Sequence, residues 1–218
     1  MLSLLLAATL GHAAETGPVD VGALKASEIK VVQKSLYGMD DRTEMGAHLG
    51  VMPFDGFTLG TQLAGTYGKH SSDTFGWEVQ VGAGYGFKTG HYSLLESPTY
   101  GVAVEAYRYL ASVQGTVEYA PIYAKMKAGD TIVHHDVYVL GGAGLTVEQS
   151  VLPSGDLAFA PTIPLGVGAR VWLKKDRALR LELRDNLMIE RRAQTETTAF
   201  KQNAVLSVGY TKFSKAKK

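Results

Sequence analysis

Residues 77–87 read Trp77-Glu78-Val79-Gln80-Val81-Gly82-Ala83-Gly84-Tyr85-Gly86-Phe87. Odd positions are apolar and even positions are polar or glycine, a period of two that belongs to a strand with one apolar face. Aromatic residues close the apolar stripe at both ends, as a membrane girdle requires. The stretch also has the length of a tilted strand crossing a hydrocarbon layer, about 9–11 residues.

The same period recurs on both sides of it. Thr43, Met45, Ala47, Leu49 and Val51 oppose Glu44, Gly46, His48 and Gly50, while Phe57, Leu59, Leu63 and Tyr67 oppose Thr58, Gly60, Gln62 and Thr66. Further on, Val113, Val117, Tyr119 and Tyr123 oppose Gln114, Thr116 and Glu118. Val137, Val139, Ala143, Leu145 and Val147 oppose Asp136, Tyr138, Gly142 and Thr146. Phe159, Ile163, Leu165, Val167, Ala169 and Val171 oppose Thr162, Gly166, Gly168, Arg170 and Trp172. Leu179, Leu181, Leu183, Leu187 and Ile189 oppose Arg180, Glu182, Arg184 and Asn186, with Asp185 interrupting the apolar side and predicting a bulge or a polar contact. Finally Ala204, Leu206, Val208 and Tyr210 oppose Asn203, Ser207 and Gly209.

Eight such segments predict an all-β fold, an eight-stranded antiparallel up-and-down transmembrane β-barrel over residues 42–213. The apolar stripes must face out, because the opposite register would turn the charges toward lipid. A soluble eight-stranded ligand carrier would need a polar exterior instead. No run of about 18 apolar residues occurs, so a membrane is crossed by strands or not at all.

Composition agrees. The 218 residues carry a formal charge of +1, which gives no footprint for a nucleic-acid partner. There are 25 glycines and 11 tyrosines but no cysteine, which excludes a disulfide scaffold, a thiolate metal site and a cysteine nucleophile. Backbone hydrogen bonds closed within lipid can hold such a chain together.

Ahead of the barrel, the short apolar run of residues 2–10 leads to Gly11-His12-Ala13, a small-residue pattern that predicts signal-peptide cleavage after Ala13 or Ala14, although no basic residues precede it. Residues 1–14 are thus expected to be a signal peptide and residues 15–41 a periplasmic lead-in. Residues 214–218 form a basic tail with Lys215, Lys217 and Lys218. An even strand number with periplasmic termini puts the turns at Ser71-Ser72-Asp73, Ala128-Gly129-Asp130 and Lys174-Lys175-Asp176 in the periplasm. The connections at residues 53–56, 90–110, 149–156 and 191–196 are then external.

Several of these pieces occur in a recognisable order: Val31-Val32-Gln33, then Arg42-Thr43-Glu44, then Ala120-Pro121-Ile122-Tyr123-Ala124-Lys125, then Asp136-Val137-Tyr138 with Gly141-Gly142-Ala143-Gly144, then Leu179-Arg180-Leu181-Glu182-Leu183-Arg184-Asp185. In this the chain resembles the myxobacterial-type outer-membrane β-barrel domain family over residues 31–213. The resemblance implies a small barrel in a Gram-negative outer membrane, with membrane lipid and the barrel insertion machinery as partners and no assigned chemistry. Ala124 stands where the family often has glycine, and Phe213, in place of a terminal aromatic residue, is followed by Ser-Lys-Ala-Lys-Lys.

An eight-stranded barrel is just wide enough to be filled by its own side chains. Glu44, Glu78, Glu118, Asp136 and Glu182 are expected to meet Arg170, Arg180, Arg184 and Lys201 as a paired lumen network, because buried charges must be paired and hydrogen-bonded. A proton or ion path along these groups is the sharper alternative. His134 and His135 are adjacent on a strand and point to opposite faces, so they cannot grip one ion together. His48 near Glu44 is a candidate base pair. His70 with Ser71 and Ser72 in a turn is the arrangement a lipid-modifying enzyme would need, without an acid to complete it. Gly82-Ala83-Gly84-Tyr85-Gly86 opens no helix and is no phosphate loop. Tyr92, Leu94, Leu95, Tyr100, Tyr107 and Tyr109 in the longest connection are the candidate partner surface.

The expected function is a non-enzymatic barrel with a structural, adhesive or envelope-complex role, without cofactor, catalytic residue or metal. A small porin-like pore and a lipid-modifying enzyme are the alternatives.

Overall fold

The alternating segments become β1 (Thr43–Met52), β2 (Thr58–His70), β3 (Phe75–Lys88), β4 (Tyr107–Ala128), β5 (Thr131–Ser150), β6 (Leu157–Lys174), β7 (Arg177–Arg191) and β8 (Thr198–Phe213). One short helix, α1 (Gly90–Glu96), sits between β3 and β4. The computed structural model describes residues 37–152, 154–191 and 197–214. The expected signal peptide at 1–14, most of the lead-in, residues 192–196 of the last loop and residues 215–218 of the tail lie outside them.

Each strand pairs antiparallel with the next, and β8 closes on β1 through a register running from Glu44↔Phe213 to Val51↔Leu206. The result is a closed up-and-down barrel with no free edge. Its solvent distribution is inside out. Leu63 on the outer wall is 60% exposed and Val81 60%, whereas Arg170 and Arg180 on the inner wall are 0% exposed. An apolar exterior around a charged interior is stable only where hydrocarbon replaces water outside. Aromatic pairs mark the margins of the apolar wall. Tyr67 lies 6.1 Å from Trp77 and Phe75 lies 4.7 Å from Tyr119 at the end of the short turns, while Tyr85 meets Phe87 at 5.1 Å at the loop end.

The turn end is built tightly. Gly129 takes φ +61° at the first of two hairpin positions, the glycine site of a type II′ turn. Asp41 turns with φ 52°, a conformation aspartate tolerates better than most residues, just before Arg42 enters the lumen side.

Proline shapes two ladders from inside the sheet. Between β4 and β5 the register slips between Tyr119 and Ile122, leaving Ala120-Pro121 as a bulge. The extra residue shifts parity, so Tyr123 pairs with the inward Asp136 and faces the lumen rather than lipid as its spacing from Tyr119 predicts. In β6 the pairing with β5 is interrupted between Gly141↔Leu165 and Gly144↔Thr162, where Pro164 has no N–H to donate.

At Asp185, the alternative of a contact holds and the bulge does not. Register runs unbroken through Leu165↔Asp185 and Asp185↔Ala204, and Gln202 Nε2 donates to Asp185 Oδ2 at 3.4 Å on the outer wall. The connection expected at 90–110 is shorter than its sequence boundary, because β4 already begins at Tyr107.

Candidate functional site: the barrel lumen

Arg180 on β7 organises the lumen. Its Nη1 donates to Glu44 on β1 at 3.3 Å and to Glu78 on β3. Its Nη2 donates to Glu118 on β4 at 2.8 Å and to Glu182 at 3.0 Å, and its Nε donates to the Tyr138 hydroxyl on β5 at 3.0 Å. One guanidinium thus reaches from its own wall to the strand opposite. Arg170 joins Asp136 at 3.1 Å, Glu44 at 3.3 Å and Glu118. Arg184 binds Glu182 through Nε at 2.9 Å and the side-chain oxygens of Gln80 and Gln114 through Nη1 at 2.8 and 2.7 Å.

The Tyr138 ring centroid lies 4.4 Å from the guanidinium of Arg170 and 5.0 Å from that of Arg180, and its hydroxyl donates to Glu182 at 2.8 Å. Such stacking adds attraction in a desolvated site. Space for the ring comes from Gly168, where a methyl group would run into the phenol. Gly209 does the same for the His48 imidazole. Glycine inside this barrel spares room for neighbours.

The structure brings together Glu44, Glu78, Glu118, Asp136, Arg170, Arg180, Glu182 and Arg184 in one layer. These carboxylates outnumber the arginines, so the layer is acid-rich rather than balanced. Lys201 is not part of it. It lies toward the loop end on β8, where Nζ meets Glu148 at 2.8 Å, Asp55 at 3.7 Å, Glu190 at 3.7 Å and the Tyr107 carbonyl at 3.2 Å. Same-face parity says nothing of depth, and the two clusters share a face at different heights. Sequence reasoning missed Glu148 although it continues the inward parity of Thr146.

His48 does not pair with Glu44. Its Nε2 lies 3.4 Å from Thr66 Oγ1, and the imidazole on Glu44 is that of His70, whose Nε2 sits 2.8 Å from Oε2. His70 faces the lumen, while Ser71 donates to the Phe75 carbonyl and Ser72 accepts from the Phe75 N–H at 3.0 Å, so the serines form a turn and no nucleophile–base pair. Glu44, His70 and Glu118 bring possible ligand atoms within 4.8 Å of one another. Arg170 and Arg180 already donate to both carboxylates, and two fixed positive charges there oppose a metal cation. His134 is buried and bonded to the Tyr123 hydroxyl at 2.7 Å, with His135 on the other face.

Below the ionic layer the turn end is stoppered. Tyr37 stacks on Trp172 at 5.4 Å, Phe213 packs on Trp172 at 4.7 Å, and Met39 is buried against them. Phe213 therefore points inward. Trp172 Nε1 donates to Asp136 at 2.8 Å, tying stopper to ionic layer. Asp73 holds the lead-in by accepting from Met39 N at 2.6 Å, and Arg42 donates to the carbonyls of Ser214, Gly38 and Lys175 at 2.8, 3.1 and 2.9 Å. Burial lowers the Arg42 pKa from the usual guanidinium value against the opposing pull of Asp176 and Glu44.

The candidate partner residues divide. Leu94 and Tyr100 are exposed and Leu95 half-buried. Tyr92, Tyr107 and Tyr109 are buried: Lys88 covers the Tyr92 ring at 4.5 Å, Tyr107 donates to Glu105 at 3.1 Å, and the Tyr109 hydroxyl bonds Gln62 and Ser112 at 2.9 Å each. Tyr107 and Tyr109 belong to β4 and its inward face, so they offer no surface to a partner. Exposed Phe54 and Val102, which the sequence did not single out, stand at the same end.

No protein-family model matches the sequence, and neither does any curated protein. Solved structures similar to it include the attachment invasion locus protein Ail of Yersinia pestis (TM-score 0.47, 11% identity, 81% of this chain and 100% of that one) and the outer membrane protein OprG of Pseudomonas aeruginosa (0.47, 12%, 83% and 98%). The N-terminal β-barrel domain of Pseudomonas aeruginosa OprF is similar at TM-score 0.50 and 10% identity, over 81% of this chain and 99% of that one. At that identity the likeness carries the fold alone, and the fold is a small eight-stranded transmembrane β-barrel.

Proposed function

We propose that the chain is a non-enzymatic outer-membrane barrel of a Gram-negative bacterium, with its termini and short turns in the periplasm and a structural or adhesive role, or one as the membrane subunit of an envelope complex. The observation that carries the reading is Arg180, whose contacts on β1, β3, β4, β5 and β7 cross the lumen from wall to wall. A bore closed by fixed ion pairs, over an aromatic stopper, leaves the protein's outer surface and loops to do its work. Leu94, Tyr100, Val102 and Phe54 are the apolar side chains offered at the loop end. The narrower assignment to the myxobacterial-type outer-membrane domain rests on the order of its sequence motifs. Insertion machinery and membrane lipid are the partners that any such barrel needs.

The test is the full chain expressed with its leader, fractionated, and run on a denaturing gel with and without boiling, followed by planar-bilayer recording. An outer-membrane band that migrates faster unboiled, and bilayers that stay silent, support the reading. Stable unitary conductance replaces it with a small pore. Acyl-chain release or transfer from added phospholipid replaces it with a lipid-modifying enzyme.

A further inference from the structure

At the turn end of the outer wall, Arg177 of β7 stands directly opposite Lys212 of β8. Both are exposed and share the outward parity of the next pair inward, Leu179↔Tyr210. Like charges placed directly across a strand pair repel. Nearby acid answers only one of the two charges. Asp176 Oδ2 lies 3.6 Å from Arg177 Nε, and among the described residues Lys212 has no carboxylate within ion-pair distance. On the far side of Lys212 a shallow groove runs between β8 and β1, lined by Thr43, Met45, Lys212, Phe213 and Ser214.

Height matters as much as charge. Tyr210 and Leu179 lie one outward-facing step, about 7 Å, nearer the middle of the wall, and Tyr67 and Trp77 form an aromatic pair at the same end on β2 and β3. The basic pair therefore sits just beyond the aromatic margin, where headgroups meet the barrel. Lys69 occupies the equivalent step beyond Tyr67 but is held by Asp41 at 2.9 Å. Among the described residues, the Arg177–Lys212 row sets a lysine without an acid partner beside a second exposed cation and an adjoining apolar groove.

We propose that this row is a binding site for the phosphate of an anionic phospholipid in the leaflet that meets the chain's termini. The phosphate lies between the guanidinium of Arg177 and the ammonium of Lys212, and the upper methylenes of one acyl chain lie along Met45. The site rests on the membrane-barrel reading. A zwitterionic lipid of equal chain length carries the same phosphate but brings its own cation toward Arg177 and Lys212, and that like-charge repulsion separates it from an anionic lipid by about tenfold in occupancy.

The experiment is native mass spectrometry of the full chain released from micelles holding equimolar phosphatidylglycerol and phosphatidylcholine, with the gel shift on boiling run on every sample. Expected is one retained phosphatidylglycerol at about tenfold preference, falling to parity in R177Q/K212Q and reduced in K212Q alone. It should be unchanged in K125Q/K127Q, which loses equal charge at the same end from lumen-side positions. An undiminished phosphatidylglycerol preference in R177Q/K212Q, no preference in the parent chain, or displacement by equimolar inorganic phosphate each overturns the lipid site. Absence of any gel shift in the parent chain overturns the barrel reading instead.

Discussion

The ring of Tyr37 lies parallel to that of Trp172, 5.4 Å between centroids and 6° between planes. A residue just ahead of the barrel thus covers an indole inside it. In a W77F background, where Trp172 is the remaining indole, Y37A should red-shift the emission and raise acrylamide quenching. An unchanged spectrum would mean that the stopper holds through Met39 and Phe213 alone.

Because carboxylates outnumber guanidiniums in the ionic layer, the two signs should respond unequally to removal. R180M takes one cation from four carboxylates, leaving Glu44 and Glu118 to Arg170 and Glu78 and Glu182 to Arg184, and should cost about 3–5 kcal/mol. D136N relieves part of the acid excess and should cost about 1–3 kcal/mol, chiefly through Trp172 and Arg170 losing a charged acceptor. Equilibrium urea unfolding in phosphatidylcholine vesicles compares them. Equal losses would show that the layer behaves as a neutral set of pairs.

Thr89 fixes the long connection twice. Its Oγ1 donates to the Gly56 carbonyl at 2.8 Å and accepts from Tyr92 N at 3.4 Å at the start of α1. T89A should weaken α1 by about 1 kcal/mol and speed proteolysis within residues 90–106, with T89S retaining protection. Barrel melting should not move, since α1 packs at the mouth and adds nothing to the ladders.

Period-two alternation made the strands and their faces legible, because any residue's face depends only on its parity along an unbroken strand. It failed at Tyr123 because a single bulge at Ala120-Pro121 resets parity, and proline in the interior of a strand was the available warning. It also failed for Lys201, because depth along the axis depends on how each strand is staggered against the next, which alternation does not encode. Tyr107 and Tyr109 were misplaced by drawing the strand boundary after them. Tyr37 and Met39 were invisible, since a stopper that packs beneath a barrel needs no period. For His70, the inward parity of Gln62 and Thr66 was signal enough to place it beside Glu44.

Asp185 is the one acid on the apolar side of β7, flanked outward by Leu183 and Leu187, and its Oδ1 is buried with no hydrogen-bond partner. Its other oxygen is met only by Gln202 at 3.4 Å. A carboxylate held against hydrocarbon with half its acceptor capacity unused costs stability, though less than a lysine or arginine would. D185L should therefore raise the unfolding free energy in vesicles by about 1–2 kcal/mol. D185N should fall between it and the parent, and Q202L alone should lower stability by removing the remaining donor. If D185L instead destabilises the barrel, the carboxylate has a polar neighbour beyond this chain. The outer wall at β7 and β8 would then be a protein interface rather than a lipid one, which crosslinking from position 185 in membranes would reveal.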